Sequence, residues 1–339
     1  MTGVAGGAEM HPAAPPEPLP ISVLTGFLGS GKTTFLGRLL TRPDMGDTAV
    51  VINEFGAVGL DHLLIEAADQ EILELPNGCV CCAVRQDLAE TLYNLLRRRA
   101  RGEIARFSRI LLETSGLAEP SPILYTFSAD AFLEHSLRVD SVVTAIDAVA
   151  GAATLARYPE AMAQAAGADR LLLTKTDLTA PSADFVTRLE ELNPMAELID
   201  SARADPVSIL FGGTVTVLPR KQRFLAEAVH AHGISAHVMT LRQPMTRLQF
   251  AMALGGLARD HGEDLLRVKG IVGFADRAGG PAAVHAVQHT MYPPRWLDRW
   301  PSADETSRLV FIVRNIAPAV LLDHFALANP VFATRQGEQ

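Results

Sequence analysis

The chain has 339 residues, 48% of them hydrophobic and 20% charged, with a formal net charge of −8. This is a globular composition, large enough for one big domain or two ordinary ones. The acidic balance argues against nucleic acid as a partner, because phosphate recognition needs a basic face.

No apolar run reaches the roughly 20 residues that cross a bilayer, so no membrane span is expected. Met1 to Pro20 is rich in Pro, Ala and Gly and lacks a basic start followed by an apolar core, so it reads as a flexible tail and not a signal peptide. Ile21–Thr25 then reads as a short buried strand, followed by a glycine loop and by helical spacing from Lys32 to Leu40. Thr48–Asn53 is a second strand, and Gln86–Arg99 has helical period with a basic C-terminus. Strands are expected at Arg109–Thr114, Ser141–Asp147, Arg170–Lys175 and Ala196–Ser201, separated by helices near Pro120–Phe127, Tyr158–Ala166 and Asp184–Leu192. Several of these strands are apolar throughout, as strands covered on both faces must be. Alternation of strands and helices predicts an α/β fold with a mostly parallel sheet.

After about Gly212 the pattern changes. A connecting helix is expected over Lys221–Val229. Then come a strand at Ala236–Leu241, a helix from Thr246 to Asp260, strands at Leu265–Phe274, Val284–Thr290 and Arg308–Asn315, and a helix from Pro318. Strands follow one another directly, which predicts a smaller C-terminal α+β domain. The expected division is a tail (1–19), a nucleotide-binding domain (20–212), a connection (213–234), the C-terminal domain (235–330) and a second tail (331–339).

Gly26 to Thr33 carries the GxxxxGKT pattern between a strand and a helix. Gly26, Gly29, Ser30 and Gly31 let backbone N–H groups wrap phosphates at a helix N-terminus, and Lys32, Thr33 and Thr34 open that helix. Lys32 is expected on the β and γ phosphates and Thr33 on Mg²⁺. Arg109–Gly116 (RILLETSG) has the layout of a second phosphate-side segment, with Glu113 as a Mg²⁺ acid and the Gly116 amide facing the γ-phosphate. In Thr174-Lys175-Thr176-Asp177, the Asp177 carboxylate can accept from the N1 and exocyclic amine of guanine, while Lys175 lies along the base. The usual first residue of such a motif is Asn; here it is Thr174. Ser201-Ala202-Arg203 reads as the second guanine loop.

All three cysteines lie in Cys79-Val80-Cys81-Cys82, directly after Asn77-Gly78. They cannot form a disulfide framework and fit reduced thiols, hence a cytoplasmic protein. Thiolates are soft ligands for zinc-like metals, and three of them leave one coordination position open, which suits metal transfer. A redox site and three inert buried thiols are the alternatives. Glu54, in Asn53-Glu54-Phe55-Gly56, is a candidate for orienting water, touching Mg²⁺ or supporting the metal site, with Asp61 a weaker one of the same kind. His230, His232 and His237 form one local group, read as solvated residues rather than metal ligands. His285 and His289 read as packed residues on one strand face, and Arg267 and Lys269 as the polar side of a half-exposed strand.

Taken in order, GFLGSGKTT, INEFG, NGCVCC, LLETSGLAEP and TKTD, then LLRVKGIV, VHAVQHT and RLVFIVRN, resemble the CobW-like metallochaperone GTPases, closest to their YjiA-like branch. The resemblance implies GTP/GDP and Mg²⁺ as ligands and slow GTP hydrolysis. It also implies a transition metal, Zn²⁺ or Co²⁺, delivered to a client metalloprotein. Related GTPases often dimerise, so a homodimer is one expected state. Three departures stand out: Ala57 and Ile52 occupy positions where relatives carry acids, which weakens any carboxylate metal site there, and the histidine-rich loop of many members is reduced to His230, His232 and His237. A metal sensor or store in which GTP sets affinity is the alternative function, and a small-molecule kinase a third.

Overall fold

The computed structural model describes residues 17–52, 72–74, 82–212 and 231–332, with the backbone alone at 72–74, 82–87 and 231. The motif Asn53–Gly56 with Glu54, Ala57 and Asp61, the thiols of Cys79 and Cys81, His230 and the expected helix Lys221–Val229 lie outside the described residues.

Seven strands form the first sheet: β1 (Leu19–Thr25), β2 (Thr48–Ile52), β3 (Ile72–Glu74), β4 (Arg109–Glu113), β5 (Leu137–Asp147), β6 (Arg170–Thr174) and β7 (Glu197–Asp200). Their order is β3-β2-β4-β1-β5-β6-β7 and every pairing is parallel. Parallel neighbours require crossovers, and the helices α1 (Lys32–Leu40), α2 (Cys82–Arg101), α3 (Pro120–Ala129), α4 (Ala131–Ser136), α5 (Gly151–Arg157), α6 (Pro159–Ala166) and α7 (Ala183–Leu192) run between the strands, with α8 (Pro206–Phe211) following β7. Alternate strand residues serve opposite faces. Val23, Val51 and Leu112 pack with Leu88, Leu92, Ile123 and Leu124 of α2 and α3, whereas Leu24, Val50 and Leu111 pack with Phe35, Leu36, Leu39 and Ile209 of α1 and α8. That two-sided cover is why these strands read as continuous apolar runs.

The second sheet is antiparallel, built from β8 (Ile234–Leu241), β9 (Arg267–Val272), β10 (Ala282–Val287), β11 (Thr290–Met291), β12 (Arg295–Trp296), β13 (Ser307–Arg314) and β14 (Pro330–Phe332). Helices α9 (Arg247–His261) and α10 (Pro318–His324) lie on one face. Thr246 caps α9 reciprocally with Gln249, the Ser/Thr-x-x-Glu/Gln box that fixes a helix start.

Along β13, Leu309, Phe311 and Val313 face α9 and α10, while Ile312 packs with Leu171, Leu189 and Ala165 of the first domain. The second sheet is therefore covered on both sides. This corrects the reading of Arg267 as the polar side of a half-exposed strand: Arg267 is 1% exposed, while Lys269 is partly buried. Asp169, at the start of β6, bonds both Arg267 and Lys269, and Arg267 also donates to the Gly167 carbonyl. Burial opposes the Asp169 charge, but Arg267, Lys269 and His285 outweigh it and hold its carboxyl far below the usual range. His285 is half-buried and stacks on Tyr292 at 4.2 Å. His289, by contrast, lies beyond the end of β10 and is exposed, its Nδ1 2.8 Å from the Ala258 carbonyl. His237 is no solvated end residue either; it is buried in β8, with Nε2 2.8 Å from Ser235 Oγ.

Candidate nucleotide and metal site

Ligands of open parallel sheets bind beyond the carboxyl ends of the strands. At that edge, β1 passes through the loop 26–31 into α1. The loop needs glycine for geometric reasons: Gly26, Gly29 and Gly31 have φ of 142°, 71° and 90°. A Cβ on Gly26 would also lie 2.5 Å from the Ala145 carbonyl oxygen. Ser30 N–H closes the turn onto the Phe27 carbonyl at 3.1 Å. The first N–H groups of α1, from Lys32, Thr33 and Thr34, have no carbonyl to bond within the helix, which makes the loop an anion cradle. Lys32 Nζ donates to the Gly26 carbonyl at 2.8 Å, within its own loop. Thr33 and Thr34 are exposed beside it.

Glu113 ends β4, 5% exposed, paired in register with Leu24 on one side and Ile52 on the other. It therefore stands beside the loop at the centre of the sheet, where a buried acid suits Mg²⁺. Thr114 Oγ1 donates to Thr25 Oγ1 at 2.8 Å, tying the segment after β4 to the end of β1. Gly116 is pressed onto the phosphate loop: a Cβ there would meet Leu28 Cδ2 at 2.6 Å and Leu28 N at 2.8 Å.

Thr174 ends β6 and is buried. Its Oγ1 donates to the Ser30 carbonyl at 2.6 Å, and its Cβ would be 3.3 Å from any Cβ on Gly31. Thr174 thus fills the bracing position where Asn is usual. Lys175, with φ 56°, reaches over the loop, and its Nζ donates to the Gly29 carbonyl at 2.8 Å and to Asp147 Oδ2 at 2.6 Å. Asp177 is exposed. Ser201 and Ala202 follow β7; Ser201 N–H bonds the Leu173 carbonyl at 2.9 Å, and Ala202 N–H bonds Asp200 Oδ1 at 2.9 Å. Thr176 Oγ1 donates to the same Asp200 oxygen at 2.6 Å, locking the two base-side loops together.

Three groups escape sequence reading: Asp147, Asp200 and Gln164, whose Nε2 donates to the Gly116 and Ala118 carbonyls. Asp147, at the end of β5, accepts from Lys175 and from the Val149 and Ala150 amides; burial opposes its charge, but these bonds together keep its carboxyl below the usual range. Asp200 is lowered likewise, burial being outweighed by Thr176, Ala202 and Arg203. Both are acids closing apolar strands, which is the signal that could have found them. Gln164, inside the Ala-rich α6, gives no such signal.

Cys82 opens α2. The segment 75–81 leaves β3 after Glu74, whose register partner is Ile52, itself paired with Glu113. The carboxyl end of β3 therefore lies at the same sheet edge as that of β1, three strand spacings away, about 14 Å. No cluster of three metal-ligating side chains occurs among the described residues. His232 lies in a short turn with φ 63°. No described helix is long and apolar enough to cross a membrane.

Two family models match: "CobW/HypB/UreG, nucleotide-binding domain" over residues 20–200 and "Cobalamin synthesis protein cobW C-terminal domain" over 234–328. The chain belongs to the CobW family of P-loop GTPases. It is 32% identical over 302 residues to the zinc chaperone YjiA of Escherichia coli (strain K12), covering 87% of this chain and 94% of that one. It is 30% identical over 365 aligned positions to the zinc chaperone CobW of Pseudomonas aeruginosa, covering 92% and 90%. The crystal structure of Zn(II)-bound YjiA GTPase from E. coli superposes with a TM-score of 0.73 at 27% identity, covering 92% of this chain and 99% of that one.

Proposed function

We propose that this GTPase binds a transition metal of the zinc or cobalt class through Cys79, Cys81 and Cys82 and releases it to a client metalloprotein when GTP is hydrolysed. The observation that carries the reading is the shared sheet edge: β3, which precedes the thiol motif in the chain, and β1, which precedes the phosphate loop, end at the same edge of the sheet three strand spacings apart, with Glu113 on β4 between them. The names of the relatives, zinc chaperones, favour zinc as the cargo. In this reading residues 20–212 form the GTPase unit and 235–330 the C-terminal unit, joined by 213–234.

In the mechanism that follows, the loop amides hold the phosphates and Lys32 turns from the Gly26 carbonyl onto the β and γ oxygens. Thr33 and Glu113 would hold Mg²⁺, which when bound would supply charge neutralisation at the phosphates. Glu54 orients the attacking water. Asp177 accepts two hydrogen bonds from guanine, while Ser201 and Ala202 supply the backbone beside the base carbonyl. The γ-phosphate is read by the Gly116 amide and by the segment after β2, which leads through β3 to the cysteines. With GTP bound the three thiolates coordinate the metal together; hydrolysis loosens that coordination and the metal leaves.

The test is a competition titration of Zn²⁺ and Co²⁺ against a chromophoric chelator, with GDP and with a non-hydrolysable GTP analogue. Metal affinity is expected to be higher with the analogue, and linkage requires metal to tighten the analogue by the same factor, typically 5–150-fold. Replacing all three cysteines with Ser should abolish that effect while leaving nucleotide binding intact. Equal metal affinity in both nucleotide states rejects delivery and leaves a passive store.

A further inference from the structure

We infer that Gln164 is a positioning residue for GTP hydrolysis, setting the loop from Thr114 to Glu119 against the phosphate loop; the inference rests on the GTPase reading above. Gln164 is 0% exposed, in the middle of the domain. Its Nε2 donates to two carbonyls of that loop, Gly116 at 3.2 Å and Ala118 at 2.9 Å. Two carbonyl acceptors select the amide nitrogen, so the orientation of the side chain is fixed by chemistry.

The donor sits on a clamped element and the acceptors on a loop. Thr144 Oγ1 of β5 donates to the Gln164 carbonyl at 2.9 Å. Asn193 Nδ2 holds the carbonyls of Ala165, Ala166 and Ala168 at 3.0, 3.0 and 2.9 Å, which closes the C-terminal end of α6. Arg267 of the C-terminal sheet takes the next carbonyl, Gly167. At the far end of the loop, Glu119 pairs with Arg314 of β13 at 3.6 Å. Helix α6 is thus anchored to the sheet and to the second domain, and Gln164 carries that anchorage to Gly116.

Gly116 is the residue that most needs it. Having no side chain, it has the widest choice of torsions, yet it lies against Leu28 of the phosphate loop with no room for a Cβ. Fixing its carbonyl orients the peptide plane it shares with Leu117, and with Thr114 tied to Thr25 on the other side few torsions remain that can re-aim the Gly116 N–H. An N–H aimed in advance at the place where charge develops is worth more than one that must reorganise.

Gln164→Met keeps the length and bulk and deletes both donors. In this variant kcat and GTP-analogue affinity should fall by roughly 5- to 30-fold, the effect of losing one or two buried hydrogen bonds. GDP affinity should stay unchanged, because GDP lacks the γ-phosphate. A purely structural role would lower the unfolding temperature and leave the ratio of GDP to analogue affinity intact. A second measurement needs no variant: in the wild-type protein the Gln164 side-chain amide resonance should differ between the GDP and analogue complexes. An unchanged kcat and affinity ratio in Gln164→Met, or coincident resonances in the two complexes, overturns the inference. Failure of the wild-type protein to bind GTP overturns the GTPase reading instead.

Discussion

Thr174→Val tests whether the base-side loop braces the phosphate loop. Valine keeps the branched shape of threonine, so the contact with Gly31 and the packing around it survive and no cavity opens. What disappears is the hydroxyl that donates to the Ser30 carbonyl at 2.6 Å. Both residues are 4% exposed, so water cannot replace the bond without rearrangement. An acceptor left unsatisfied in such a place costs about 1–3 kcal/mol. Part of that cost is relieved in the nucleotide-free protein, where the loop can relax. The remainder must be met when phosphates bind, because the cradle works only in one backbone geometry. If the whole cost falls on binding, GDP affinity drops by about five- to 150-fold. Calorimetric titration with GDP at fixed Mg²⁺ measures the binding share, and thermal unfolding of the nucleotide-free protein measures the rest. Unaltered affinity together with an unaltered unfolding temperature would refute the bracing argument.

Lys32→Ala removes the charge facing the β and γ phosphates while the loop backbone still forms, so single-turnover GTP hydrolysis should drop by orders of magnitude with little loss of fold; a wild-type rate would place the activity elsewhere. The interdomain seam should weaken in acid. Burial first, then Arg267 and Lys269, push His285 down to about 3 from an ordinary 6.5, with Asp169 acting the other way. Between those values the unfolded chain holds a proton that the folded chain lacks, so stability falls as pH drops from 6.5 towards 3, by about 1.4 kcal/mol per pH unit. Asp169 adds to the loss once pH falls below the ordinary carboxylate range, since its folded value is depressed. The urea midpoint of wild type should therefore fall more steeply between pH 6.5 and about 4.5 than that of His285→Asn, and parallel slopes would count against a depressed His285.

The sequence by itself determined the parts of this protein that are local. The phosphate loop is legible because its glycines, Lys32 and Thr33 are consecutive, and backbone geometry over so few residues is dictated by which of them can adopt positive φ. Strands β1, β2, β4 and β6 are legible because burial on both faces leaves an unbroken apolar run. The capping box that starts α9 spans four consecutive residues and needs no partner from elsewhere. Only the tertiary structure decided the rest. Arg267 alternates with apolar neighbours as a solvent-facing residue would, and becomes buried only because the second sheet lays that face on the first domain. Its partners Gly167 and Asp169 are 100 and 98 residues away. Gln164 meets Gly116 across 48 residues, and Lys175 meets Asp147 across 28. Periodicity records whether a side chain is covered, not what covers it. A polar residue in a covered position acquires its role from the group that the closed fold sets opposite, and that pairing is fixed when the sheets stack, not along the chain.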